Sequence, residues 1–171
     1  MWERIAAEAS AESPLWAEAL LPQDGRPFEP VFSPLAPPEL ALGVETIYEG
    51  YLVHYGRPRL FAPPDAETAL LLGDYLYAHG LVHVAATGNA AAVADLAELI
   101  SLCAQSRAEG RDGDAAAWAA TAAQLGAGGL DDARAALRLD GDAGLLEEAA
   151  RAGAGDVPVE RAFAAHVLLV G

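Results

Sequence analysis

Alanine constrains the fold of this chain more than any motif does. It fills 40 of the 171 positions, and it is the strongest helix former because it loses no side-chain entropy on folding. Long alternating runs of β-branched residues, which strands require, are absent. The sequence predicts an all-α fold, a helical bundle, in one domain over 1–171. A chain of 17.7 kDa is large enough for one such core.

Proline partitions the bundle. All of the 11 prolines but Pro158 lie between Pro14 and Pro64. Two N-terminal helices are predicted within 1–21, from Trp2 to Ser10 and from Pro14 to Leu21. A proline-rich connector over 22–38 should run extended across the surface, and a helical core should occupy 39–171. The first core helix should run from Pro38 to Tyr55 and stop at Gly56, with Pro58 beyond. Asp65 and Asn89 read as N-caps of helices reaching about Ala86 and Glu109, and Asp114 opens another. Val93, Leu96, Ala97, Ile100 and Cys103 with Ala104 recur at helical spacing and predict one buried stripe, as do Trp118, Ala122 and Leu125. Gly141, Gly144, Gly153 and Gly155 should break the tail into shorter helices. Gly126-Ala127-Gly128-Gly129 reads as a helix terminator, since no lysine follows to make a phosphate loop.

Charge narrows the chemistry. Ten basic residues, all arginine, face 25 acids for a net charge of −15. Lysine Schiff-base chemistry is excluded, and nucleic acid is not an expected partner because no cationic excess exists to track phosphates. The apolar runs are too short for a membrane span, and Met1-Trp2-Glu3-Arg4 lacks the pattern of a signal peptide. The lone Cys103 fits a reducing compartment, so a cytoplasmic location is expected.

Few residues suggest chemistry. Glu45 and Glu49 lie four apart, so both carboxylates leave one face of a helix and could share Mg²⁺; acids at this spacing also occur on solvated faces. His79 and His83, likewise four apart, could bind one metal ion, although Gly80 stands where a zinc protease needs glutamate; a structural role or simple exposure is the commoner use. Tyr48, Tyr51, Tyr55, Tyr75 and Tyr77 fall on two consecutive helices and suit either core packing or an aromatic wall around an apolar ligand. Asp131-Asp132 and Glu147-Glu148 read as capping and surface charge. Cys103 lies on an apolar stripe and should be inert.

Gly56-Arg57-Pro58, followed after a short gap by Leu72-Gly73-Asp74-Tyr75-Leu76-Tyr77-Ala78, resembles the trans-polyprenyl diphosphate synthase family. The segments Ala97 to Cys103 and Thr121 to Ala127 are similar as well, so the resemblance covers about Ala41 to Gly128. It implies a shortened isoprenoid synthase fold. It also implies that Glu45-Thr46-Ile47-Tyr48-Glu49 replaces the family's first aspartate-rich motif, with Glu45 and Glu49 as the Mg²⁺ ligands. Tyr48, Tyr51, His54, Arg57, Tyr75 and Tyr77 would then surround a ligand. His54 and Tyr55 stand where the family carries diphosphate-binding arginines, and neither offers a bidentate guanidinium. Active members are longer, and their second aspartate-rich motif would fall beyond Gly171. Ionising an allylic diphosphate takes several cations held by acids from two helices. The expectation is therefore a non-catalytic protein with no required cofactor, Mg²⁺ aside. It would act as a partner or regulatory subunit in isoprenoid metabolism, as a homo-oligomer or beside a larger prenyl synthase. The alternatives are a small apolar- or isoprenoid-binding module and a Mg²⁺-dependent enzyme using Glu45 and Glu49.

Overall fold

The computed structural model describes residues 1–22 and 28–170, and the elements found there are helical, with no strand among them. They are α1 (Trp2–Glu12), α2 (Pro14–Glu18), α3 (Ala41–Tyr55), α4 (Ala66–Ala85), α5 (Ala90–Ala108), α6 (Asp114–Ala123), α7 (Asp131–Asp140), α8 (Gly144–Ala154) and α9 (Asp156–Val170). Short polar residues fix several starts. The Asp65 carboxylate accepts the Thr68 N–H at 2.7 Å, and the Asn89 side chain accepts that of Ala92 at 3.0 Å, each satisfying an amide the helix itself cannot. Gly126, Gly128 and Gly129, with φ of 81°, 75° and 89°, turn the chain between α6 and α7 in a left-handed conformation that suits glycine.

The α2 helix is shorter than its sequence predicts. It stops at Glu18 because the chain then pairs with the segment after α3: the Leu21 N–H donates to the Leu60 carbonyl at 2.9 Å, and Ala62 N–H to that of Ala19 at 2.7 Å.

The connector departs further from expectation. Part of it, 23–27, lies outside the described residues. The rest lies only partly on the surface: Glu29, Pro30 and Pro34 are exposed, but Val31, Phe32, Ser33 and Leu35 are buried, and 3₁₀ turns form at Ser33–Leu35 and Pro38–Leu40. Phe32 stacks on Trp118 with ring centroids 5.5 Å apart and meets the edge of Tyr48 at 5.0 Å. An aromatic side chain gains more by burial than a solvated loop does, provided the amides beside it find acceptors. They find one in Glu45.

The closest helix pairing joins α3 to α4. A Cβ added at Gly43 would lie 2.8 Å from the Gly80 carbonyl oxygen, and one at Gly50 would lie 2.9 Å from that of Gly73. The two helices thus run antiparallel with glycine facing backbone at two levels seven residues apart. This approach places Glu45, Glu49 and Tyr48 deep in the protein. One hydrophobic cluster spreads from α3 over α5, α6, α8 and α9, and a second holds Ile5, Trp16, Leu60, Phe61, Leu72 and Leu76 beneath α1 and α2. Helix α6 is central: every residue from Ala116 to Ala122 is buried.

The stripe expected on α5 is rotated. Ala92, Asp95, Leu96, Leu99, Leu102, Cys103 and Ser106 are buried, while Ala97 faces solvent. The cause is polar: Asp95 turns inward to accept the Gly126 N–H at 2.9 Å and to pair with Arg134 at 3.0 Å.

Candidate functional site

Glu45 and Glu49 project from one face of α3, as their spacing requires, and both are fully buried. Between them lies the Arg59 guanidinium, 7% exposed. Arg59 Nη1 is 2.9 Å from Glu45 Oε2, an ion-pair contact, and Nε donates to Glu49 Oε2 at 3.0 Å. The other oxygens are equally engaged. Glu45 Oε1 accepts the Val31 and Ser33 N–H groups at 2.9 and 3.1 Å, while Glu49 Oε1 accepts those of Arg59 and Leu60, both at 2.7 Å. The same guanidinium reaches the Glu29 carbonyl at 3.2 Å and lies over the Trp2 ring, 4.4 Å from its centroid. The two acids thus tie α3 to both the connector and the segment after Pro58. The cation the structure shows between them is Arg59, in a geometry different from the Mg²⁺ site expected.

Tyr48 and Tyr51 have no exposed surface and belong to a polar network inside the main cluster. Tyr48 Oη is 2.9 Å from His166 Nδ1, and His166 Nε2 is 3.5 Å from Asp114 Oδ2. Tyr51 Oη donates to that same oxygen and receives hydrogen bonds from Arg107 at 2.7 and 3.1 Å. Burial and the adjoining Asp114 carboxylate push the Tyr51 hydroxyl well above its ordinary value; Tyr48 is raised by burial despite Arg59. Burial alone would raise Asp114, but the neighbouring His166, the hydrogen bond from Tyr51 and the charge of Arg107 hold it below the usual carboxylate range.

The remaining members of the expected ligand set lie apart. His54 sits on Gly73, 3.3 Å from Asp74 Oδ1, with Tyr77 beside it at 5.1 Å; burial lowers its pKa, partly offset by Asp74. Arg57 donates to the Leu168 carbonyl on α9. Tyr75 stacks between Trp16 and His79 in the second cluster. These six side chains divide among the Tyr48–Tyr51 network, the contact of His54 with Gly73 and Tyr77, the α9 end at Arg57 and the second cluster at Tyr75. A cavity of about 480 Å³ lies elsewhere, bounded by Glu29, Val31, Pro34, Val157, Arg161 and Ala165, between the connector and α9.

His79 and His83 do converge, on a residue their sequence gives no reason to suspect. Glu8 Oε2 on α1 is 2.9 Å from His79 Nε2 and 2.7 Å from His83 Nε2. Partial burial raises the Glu8 carboxyl, but hydrogen bonds from Arg4 and both histidines outweigh it and bring it to about 2.

Sequence reasoning missed Arg59, His166, Asp114 and Glu8. Arg59 carried a signal, as a cation ten residues from Glu49 across a glycine–proline turn; the others act over separations that no local pattern records. Comparison with known protein families, with curated proteins and with solved structures finds no match to this chain.

Proposed function

We propose that this chain is a non-catalytic, polyprenyl-synthase-like helical protein that serves as a partner or regulatory subunit in isoprenoid metabolism. The observation that carries the non-catalytic part is the guanidinium of Arg59 between Glu45 and Glu49. A Mg²⁺ ion at this pair would have to displace that buried cation. It would also need a near-octahedral oxygen shell of its own, while one oxygen of each carboxylate is already taken by two backbone amides. The acids fasten the frame instead of caging a diphosphate. The metabolic setting rests on the resemblance of Gly56-Arg57-Pro58 and Leu72 to Ala78. Co-expression with an active trans-prenyl synthase tests it. The proposal expects co-elution on sizing and a changed product chain length. Separate elution with unchanged products refutes it.

A second reading, binding of an apolar ligand, draws on the cavity between the connector and α9, whose wall includes Val31, Pro34, Val157, Ala162 and Ala165. A thermal shift with prenyl alcohols, abolished by Ala165→Trp, supports it. No shift at saturating alcohol counts against it.

A further inference from the structure

We propose that Glu8, His79 and His83 form a binding site for a divalent transition-metal ion of the zinc class, clasping α1 onto α4. One carboxylate oxygen and two imidazole nitrogens lie within 4.8 Å of one another. The histidines follow from sequence: at i and i+4 they share a face of α4, and their rings meet edge to face at 4.6 Å. Tertiary packing brings Glu8 opposite them. The three side chains are 29%, 26% and 13% exposed, so they are ordered by their surroundings yet reachable by an ion from solvent.

The donor set decides the class of ion. Two imidazoles and one carboxylate match zinc and its transition-metal neighbours, whereas Mg²⁺ and Ca²⁺ prefer all-oxygen shells. Without an ion, Glu8 Oε2 accepts from both Nε2 atoms, so each imidazole holds its proton on Nε2. With an ion, each neutral ring moves that proton to Nδ1 and presents the Nε2 lone pair to the metal. Metal–donor bonds of about 2.1 Å in a tetrahedral shell separate adjacent donors by about 3.4 Å. The Oε2–Nε2 distances of 2.9 and 2.7 Å must therefore open by about 0.5 and about 0.7 Å, a small side-chain adjustment. Two neighbours already orient the ligands, as outer-shell groups do in metal sites. Arg4 Nε donates to the other Glu8 oxygen at 2.8 Å, and the Tyr75 ring stacks on His79 at 5.2 Å. Three protein ligands leave a fourth position for water. With glycine following His79, no glutamate lies there to act as the base of a zinc protease.

The test uses the full chain with Zn²⁺ or Co²⁺ alone as probe. Titration should show one ion per chain, with a tetrahedral Co²⁺ visible spectrum, and X-ray absorption should show two imidazoles in the shell. His79→Gln and His83→Gln should each weaken binding by about a hundredfold, at the upper end of the loss known for mere outer-shell changes. His54→Gln should bind as the unaltered chain does, and Mg²⁺ should not compete. Absence of binding at micromolar metal, a shell without imidazole, or a His83→Gln variant that binds undiminished each overturns the proposal. The absorption measurement needs no variant, so it decides the matter even where a substitution impairs folding.

Discussion

Replacing Arg59 by leucine tests the buried acid pair most severely. The substitution keeps much of the side-chain volume and removes the Arg59 cation between Glu45 and Glu49, both fully buried. The amides of Val31, Ser33, Arg59 and Leu60 would still donate to the two Oε1 atoms, so the cost is that of unpaired charge and not of every hydrogen bond. Breaking a buried pair from one side costs roughly 3–5 kcal/mol, a large part of the 5–15 kcal/mol (roughly) that holds a domain folded. With a urea dependence of about 2 kcal/mol per molar, the unfolding midpoint followed by circular dichroism should fall by about 2 M. One further variant identifies the mechanism. Adding Glu45→Gln and Glu49→Gln should restore much of the loss, because glutamine keeps an acceptor for the amides without the charge. An Arg59→Leu protein within about 1 kcal/mol of the original, against that expected cost, would refute this role of Arg59, as would one rescued by millimolar Mg²⁺.

Other consequences can be measured on single variants. Gly80→Ala should lower the melting temperature: the roughly 1 kcal/mol gained in helix propensity is outweighed by roughly 1–3 kcal/mol of overpacking where the new methyl meets the Gly43 carbonyl at 2.8 Å; a raised melting temperature contradicts the close α3–α4 approach. Asp114 is held below the usual carboxylate range, so the unfolded chain takes up its proton first; this stabilisation is complete above the unfolded pKa of about 3.9 and lost as pH falls through and below it. Urea midpoints should show that loss, and Asp114→Asn should flatten it. Burial raises the Cys103 thiol, so a thiol reagent should label one site per chain in denaturant and almost none in the folded protein; rapid labelling of the native chain would place Cys103 elsewhere.

Local chemistry was legible and long-range pairing was not. Asp65, Asn89 and the glycines after α6 act on backbone within a few residues, so their caps and turns follow from sequence alone. The same holds for the shared face of Glu45 and Glu49. What that face meets depends on a turn through Gly56 and Pro58 that returns Arg59 to α3; the turn residues hint at the return, but spacing alone does not put the guanidinium between the two acids. The α5 stripe was misplaced for a related reason: Asp95 and Ser106 are polar, and only the partners of Asp95, Arg134 and the Gly126 amide, explain why it faces inward. The connector was read as a surface strap because prolines dominate it. Its buried aromatic, Phe32, decides the matter by filling the space between Trp118 and Tyr48, with Glu45 answering the amides on either side. Gly73 and Gly80, seven apart on α4, leave room for a close helix neighbour, and the matching Gly50 and Gly43 make that neighbour α3 of the same chain.

The most direct measurement is a crystal structure of the unaltered chain grown with Mg²⁺ and a non-hydrolysable allylic diphosphate. The account predicts electron density for the Arg59 guanidinium between Glu45 and Glu49, with no ion bridging them. Magnesium coordinated by both carboxylates, with Arg59 swung away and the diphosphate on the metal, would contradict it.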